Sequence, residues 1–535
     1  MHHTDDVTTW TMPQALAKQA KKNPDNIAIR FVDGPQFSYQ QILSQANKVA
    51  SSLASIGFKA DDKLALFLPN CPEFIHLWLG CHQADGVMVG LNTELVGDFL
   101  LHALTLSEAS VLVCQKAQLN TVLAISTQLK YLKTIIITDS DTTFDSLTKD
   151  QKVSVISYQT LLSLGNSKIE PVAKFSDLAC LMFTSGTTGP SKAVMMPHAH
   201  CYLFGLGTID NLGLEASDTY YITMPLFHVN ALFMQVYACL IKGATAVIRN
   251  KFSASNWISD IEKYGVTHTN LLGVMTEFVA RQPDSTHDKR HKLKVISAAP
   301  AAPALIDKFA TRFNVPLVEL YGMSEVNIPL FTPIGKHRPG SCGLVYSKYF
   351  EVRVADPETD LLVAPEIVGE IQVRPKIASG FMSGYYRMPE KTLEACKNLW
   401  FHTGDAGKYD KDGYFYFVDR IKDCLRRRGE NISSYEVELA LQSLEGVEEV
   451  AVIGVPSDIP GGEQEVMAII AKRPELSAEL VHAHCMQVIP QFAVPRYIRF
   501  IEAEHIPRTA TDKIRKVVLR EQGVTADTWD ASLNQ

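Results

Sequence analysis

The sequence predicts an α/β protein. A large amino-terminal body of parallel-rich sheets is covered by helices and carries a barrel-like subdomain, and a small carboxy-terminal α+β domain follows. Three observations carry this. Over roughly the first four hundred residues, short β-rich apolar runs alternate with helix-spaced segments, which implies parallel strands joined by crossover helices. Near residue 340 the long helical patterns stop and strands are separated by turn-rich segments. After Arg420 a charged stretch leads into a compact mixed pattern.

Taken in order, Lys63–Leu68 is an apolar strand bounded by Pro69. Asp98–Ala109 has helical apolar spacing, and Ser110–Cys114 reads as a buried strand. Thr134–Thr138, Thr245–Ile248 and Lys294–Ser297 are further strands, with Asn256–Tyr264 and Ala304–Phe313 as helices among them. Phe350–Ala355, Glu370–Arg374 and Tyr414–Val418 form the β-rich subdomain at about 340–419. Beyond it, Tyr435–Leu444 reads as a helix, Val447–Val455 and Val466–Ala471 as strands, and a helix starts near Ala478. The expected division is 1–420 and 421–535.

Composition excludes several classes. The 535 residues, 46% hydrophobic and 20% charged, can bury a large core. At about 150 residues per domain they make three or four units. With 51 Lys+Arg against 58 Asp+Glu the net charge is −7, which argues against a nucleic-acid binder. No run approaches the ~18 apolar residues of a membrane-spanning helix. The start, Met1-His2-His3-Thr4-Asp5-Asp6, has neither the basic residues nor the apolar run of a secretory signal. The ten cysteines are scattered without a CxxC pair. Free thiols in a reducing cytoplasm are the economical expectation.

The most informative segment is Leu181-Met182-Phe183-Thr184-Ser185-Gly186-Thr187-Thr188-Gly189-Pro190-Ser191-Lys192. An apolar strand runs into six consecutive Gly, Ser or Thr residues (Thr184 to Gly189), and a lysine follows. Glycines let the backbone close around a polyphosphate, while backbone N–H groups and hydroxyls supply donors. A solvated turn is the bland alternative, but it seldom carries this density of donors. The Walker pattern GxxxxGK[ST] is different, so P-loop NTPase chemistry is disfavoured.

This loop, with Tyr321-Gly322-Met323-Ser324-Glu325, Phe401-His402-Thr403-Gly404-Asp405 and Pro507-Arg508-Thr509-Ala510-Thr511-Asp512-Lys513 downstream, resembles the adenylate-forming superfamily. That superfamily comprises acyl-CoA synthetases, peptide-synthetase adenylation domains and luciferases. The resemblance spans roughly Gln14 to Arg520, and Phe417–Arg420 and Arg426–Ser433 look most like crotonobetaine/carnitine–CoA ligases.

It implies ATP, Mg²⁺, CoA and a small carboxylic acid as reactants. A carboxylate attacks the α-phosphate and expels pyrophosphate, and the CoA thiol then takes the acyl group. Negative charge accumulates at phosphorus in the first step, so cations must offset it. By resemblance, Glu325 with Thr187 holds the metal, and a hard carboxylate oxygen suits magnesium. Tyr321 stacks on adenine beside Ala298-Ala299-Pro300, where many relatives have glycines, Ser324 supplies a hydroxyl near the phosphate, and Gly322 and Met323 belong to the same nucleotide site. Asp405 accepts from both ribose hydroxyls, with Arg420 as its companion. Lys513 is the main catalytic residue and bridges the carboxylate and α-phosphate; Asp512 stands where many relatives have Gly. Lys422 matches the hinge about which a mobile carboxy-terminal domain reorients between steps.

His228, in Pro225-Leu226-Phe227-His228-Val229-Asn230, matches an orienting or gating residue. Phe227, Val229, Asn230 and Gly273 are assigned to the acyl pocket. Amino-acid-activating relatives usually place an Asp near here, so an acid without an α-ammonium is favoured. Arg428, Gly429 and Glu430 are assigned to the CoA channel. The stretch Arg420–Arg428, with five basic residues and one acid, offers charge for CoA phosphates. A quaternary ammonium wants an aromatic or anionic cage, which the sequence does not display; fatty, aryl and steroid-side-chain acids stay open. So do a carrier-protein thiol as acceptor and, from another class, a nucleotide-binding pseudoenzyme. His198-Ala199-His200-Cys201 and His482-Ala483-His484-Cys485 invite a zinc reading, but coincidence is the expectation. The sequence does not set the oligomeric state, for which a homodimer is the commonest default.

Overall fold

The computed structural model describes residues 6–140, 153–165, 169–184, 191–299, 303–421, 423, 425–427, 430–457, 464–472, 476–508 and 513–533. They fall into two compact units. The first comprises Met1–Thr184, Ser191–Glu351 and Arg374–Leu399; the second comprises Ser185–Pro190, Val352–Val373 and Trp400–Gln535.

Two large sheets build the first unit. Among the described residues, one sheet orders seven strands as Ser154–Ser157, Thr134–Ile137, Val111–Cys114, Lys63–Phe67, Val87–Gly90, Leu178–Thr184 and Lys192–Pro197. All neighbours are parallel except the last pair, an antiparallel hairpin. Val111–Cys114 is buried at every position, as expected of a parallel strand covered on both faces. The other sheet orders nine strands, with a parallel centre running Leu317–Met323, Val295–Ala299, His268–Leu272, Thr219–Ile222, Thr245–Ile248 and Ile27–Phe31. Antiparallel strands close both edges.

The second unit is antiparallel where it begins. Phe350–Ala355, Gly369–Pro375, Trp400–Tyr409 and Phe415–Arg420 pair in that order as a half-barrel sheet. Its last part packs helices Ser434–Gln442 and Ala478–Val488 with the sheet Val447–Pro456, Gln464–Lys472, Tyr497–Ile501, Trp529–Asp530. Period-2 alternation sends Val450, Val452, Ala468 and Ile470 into one core and Ala451, Ile453, Met467 and Ile469 into another, so the central strands are apolar on both faces.

The predicted elements are present, with ends moved by a residue or two. The helix expected at Asn256 starts at Ala254, because the Ser253 hydroxyl accepts from Asn256 N and caps it. Among the described residues, no helix is long and apolar enough to cross a membrane.

Candidate active site

In the first unit the stem of the Gly/Ser/Thr loop is a hairpin. Thr184 pairs with Lys192 in register, and both are half-buried. Ser185, Gly186, Thr187, Thr188 and Gly189 lie outside the described residues. Lys192 Nζ is 4.1 Å from the centroid of the Tyr385 ring, a cation–π distance. The same tyrosine donates its hydroxyl to Glu325 Oε1 at 3.0 Å. Burial first, and then the Glu325 charge, raise the Tyr385 pKa far above that of a free phenol, so it remains a donor. One buried aromatic thus joins the loop lysine to the Glu325 carboxylate, itself only 6% exposed.

The backbone around Glu325 is held from behind. His200 Nε2 is 2.8 Å from Ser324 O, and Asn327 Nδ2 is 3.2 Å from His200 Nδ1 and 3.0 Å from His200 O. Burial pushes the imidazole down to about 4. His200 Nδ1 also lies 3.2 Å from Gly380 O, so a neutral ring with its proton on Nε2 donates to Ser324 and accepts from Asn327, whereas one with its proton on Nδ1 donates to Gly380. Asn327 has φ 73°, a left-handed backbone that Asn tolerates better than most residues. Gly322 is required sterically, since a Cβ there would stand 2.3 Å from Asn327 O. Tyr321 is 8% exposed on the same strand, and Met323 and Ser324 are half-buried. Ala298 is buried on the neighbouring strand, paired with Leu271 and Glu319. Ala299 ends that strand, and Pro300 lies outside the described residues.

The Pro225–Asn230 segment is also pinned. Asn70 donates to Met224 O at 3.0 Å and Arg249 O at 2.9 Å, and accepts from Leu226 N at 2.8 Å. Phe227 is buried, and its ring is tilted against His228 with centroids 4.6 Å apart. His228, Val229 and Asn230 are half-buried. Asn230 opens a π-helix, Asn230–Tyr237, a distortion often found at functional sites. Gly273 begins the helix Gly273–Ala280.

In the second unit, Asp405 and Arg420 are cross-strand partners, with Arg420 Nε 2.9 Å from Asp405 Oδ1. Asp405 is 2% exposed while Arg420 is exposed. The turn before Asp405 is set by Glu370. One of its oxygens accepts from Gly404 N at 3.0 Å and the other meets His402 Nδ1 at 2.6 Å. Gly404 has φ 70°, which favours glycine. On the other side, Asp419 accepts from Arg420 N, Ser434 Oγ and Tyr435 N.

Lys513 is exposed. It stands at the end of a loop whose base is closed by the Arg508–Ile514 bridge and by Arg515 N donating to Pro507 O at 2.7 Å. Lys422, Arg428 and Gly429 lie outside the described residues; Glu430 starts the short strand Glu430–Ile432, paired with Arg427. Within the basic stretch, Arg427 is engaged internally. Its Nε is 2.7 Å from Glu465 Oε2, its Nη1 donates to the carbonyls of Phe492 and Val494, and its side chain is 11% exposed. Its charge is spent on folding this unit rather than left for a ligand.

Asn70, His200, Asn327, Glu370 and Tyr385 were not singled out by sequence as site residues. His198, the other histidine of the first His-Ala-His-Cys, accepts from Met12 N at 3.4 Å and is pushed down to about 4 by burial.

A family model described as "AMP-binding enzyme" matches residues 16–386, and one described as "AMP-binding enzyme C-terminal domain" matches 436–513. The chain is 30% identical over 496 residues to a crotonobetaine/carnitine–CoA ligase of Salmonella heidelberg, covering 91% of this chain and 93% of that protein. Among solved structures, the anthranilate CoA ligase AuaEII in complex with anthranoyl-AMP superposes with TM-score 0.85 at 23% identity, covering 98% and 99% of the two chains. O-succinylbenzoate Coenzyme A synthetase from Bacillus subtilis, in complex with ATP and magnesium ion, gives TM-score 0.79 at 24% identity, covering 96% and 99%.

Proposed function

Since the chain belongs to the AMP-binding enzyme family and is an AMP-forming acid–CoA ligase, we propose that it works in two half-reactions whose charges are managed by the residues above. In the first, a carboxylate oxygen attacks the α-phosphorus of ATP, the bond to the β-phosphate oxygen breaks, and pyrophosphate leaves. In the second, the CoA thiol attacks the acyl carbonyl, AMP leaves, and the thiol proton goes to solvent.

The observation that carries the reading is the Lys192–Tyr385–Glu325 arrangement. It sets a cation over the face of one aromatic and a buried carboxylate at its hydroxyl, beside the Thr184–Lys192 pair. A carboxylate and a hydroxyl oxygen fit magnesium, which takes one or two protein oxygens and fills its remaining positions with phosphate and water. Among the described residues there is no cluster of three or more His, Cys, Asp or Glu that would suit a softer metal. Glu325 and Thr187 would hold the ion, which when bound neutralises phosphate charge. Lys192 adds a point charge to the polyphosphate, Tyr321 stacks on adenine beside Ala298, Ala299 and Pro300, and Asp405 with Arg420 holds the ribose. Lys513 offsets charge at the α-phosphate in the first step and must withdraw before the thiol attacks. A boundary at 420 with a hinge at Lys422 would serve that change. His228 orients the carboxylate.

The acid is one without an α-ammonium: either a short carnitine- or crotonobetaine-like acid, as the Salmonella relative's name suggests, or a medium to long acyl chain. The acceptor is CoA; a pantetheinylated carrier protein is the second reading. Pyrophosphate release over a panel of acids, with and without CoA, tests this. Acid-dependent release is expected, with AMP and acyl-CoA as products when CoA is present. Absence of release with every acid would overturn the catalytic reading, and turnover only with a carrier protein would overturn CoA as acceptor.

A further inference from the structure

We infer that Asn230 is a specificity determinant that presents an amide N–H donor to the acyl group, so that the preferred acid carries a hydrogen-bond-accepting oxygen beyond its reacting carboxylate. This rests on the assignment of Asn230 to the acyl pocket and narrows the substrate class there.

A buried amide relay ends at Asn230. The Tyr220 hydroxyl is 2.5 Å from Asn270 Oδ1. Asn270 Nδ2 is 2.9 Å from Asn230 Oδ1, and Gln235 Nε2 is 2.7 Å from the same oxygen. Tyr220 and Gln235 are fully buried and Asn270 is 3% exposed. Amide oxygens and nitrogens can be exchanged by a flip, so the direction of the relay must be decided on energy.

In this arrangement all three donors are used and one buried acceptor, Gln235 Oε1, lacks a partner. With all three amides flipped, Asn230 would donate twice inward. The Tyr220 O–H and the Gln235 NH₂ would then be stranded in the core. Stranded donors are rarer and costlier in proteins than an under-used carbonyl. The relay therefore runs from Tyr220 and Gln235 toward Asn230. The Asn230 oxygen is saturated from within, and its Nδ2 is neither buried nor hydrogen-bonded among the described residues. Asn230 also sits where the chain enters its π-helix, so the 230–235 amide pair is made by a five-residue step rather than by an ordinary helical turn.

An N–H donor attracts a hydroxyl, keto, ester or carboxylate oxygen. It gives nothing to a saturated alkyl chain and repels a quaternary ammonium. A site that hydrogen-bonds its substrate also discriminates strongly against analogues lacking the group, because its own polar atom is then left dry.

The test uses matched acids: butyrate against 3-hydroxybutyrate, pentanoate against 4-oxopentanoate, and 4-(trimethylammonio)butanoate, read as pyrophosphate release with CoA. For the wild type, kcat/KM is expected to favour the oxygenated member of at least one pair by about tenfold or more. Asn230→Leu should bring that ratio to about one, read within each pair of acids and not as absolute activity. Asn230→Asp should lose the oxygenated acid and gain the trimethylammonium acid. Equal or better use of alkyl acids by the wild type overturns the inference, as does an equal loss on both members of a pair in Asn230→Leu. Pyrophosphate release with alkyl acids alone would leave the ligase reading standing and remove only this inference. Release with no acid at all would remove both.

Discussion

The Tyr385 hydroxyl donates to Glu325 Oε1 across 3.0 Å, although sixty positions separate the two residues in sequence. Lys192 approaches the same ring to 4.1 Å. On the proposed assignment Tyr385 is a positioning residue: its hydroxyl orients the carboxylate and its ring face meets the lysine. Tyr385→Phe keeps the ring and removes the donor. A hydrogen bond to a charged acceptor contributes about 1.5–3 kcal/mol, which corresponds to about tenfold to a hundredfold in rate. The variant should need a higher magnesium concentration for half-maximal adenylation, with KM for the acid unchanged. A magnesium titration of pyrophosphate release measures this, and Mn²⁺ binding in the presence of ATP, followed by EPR, reads the same weakening without turnover.

Asn327 supports the same carboxylate from the backbone side, through His200. Its positive φ and its side-chain hydrogen bonds can be separated by substitution. Asn327→Gly keeps the conformation and loses the bonds, whereas Asn327→Ala loses both. Thermal or urea denaturation should show Ala less stable than Gly by roughly 0.5–2 kcal/mol, with adenylation reduced in both. Equal stability of the two variants would contradict a strained backbone at this position.

Burial pushes His76, His198 and His200 down to about 4 from the ordinary imidazole value. In the unfolded chain they protonate near 6.5, and in the folded chain only near 4. Between these limits the unfolded state binds more protons, so stability rises with pH, by about 1.4 kcal/mol per pH unit for each fully differing group. Their contribution is complete above pH 6.5 and is lost as pH falls through 4. The melting temperature should drop steadily from pH 6.5 to 4.5, and His200→Asn should make that slope shallower. A flat profile for the wild type would show that these rings are not held neutral.

Much of the fold was legible because parallel α/β architecture writes itself into local pattern. Val111–Cys114 is apolar at every position because it is covered on both faces, and the second unit's central strands are apolar on both faces because each face enters a different core. Helix starts were misjudged where the cap is a single hydroxyl, as at Ser253. Sequence points to candidate site residues where chemistry is concentrated in one stretch, as in the Thr184–Lys192 loop or around Glu325. It does not do so where a partner is distant in sequence. Asn70 reaches 154 positions to Met224, and the Asn230 amide depends on Asn270 and Tyr220. Arg427 looked like ligand-directed charge because sequence alone does not show that Glu465 and two carbonyls already claim it.

In the proposed mechanism Lys513 serves one of two separable reactions. Lys513→Ala, assayed in halves, tests it most directly. Acyl-adenylate formation from acid and ATP should fall by at least about a hundredfold, the loss expected when a transition-state charge is left unbalanced. Thioester formation from synthetic acyl-adenylate and CoA should persist near the wild-type rate. Equal loss of both halves, or survival of the first, would contradict the account.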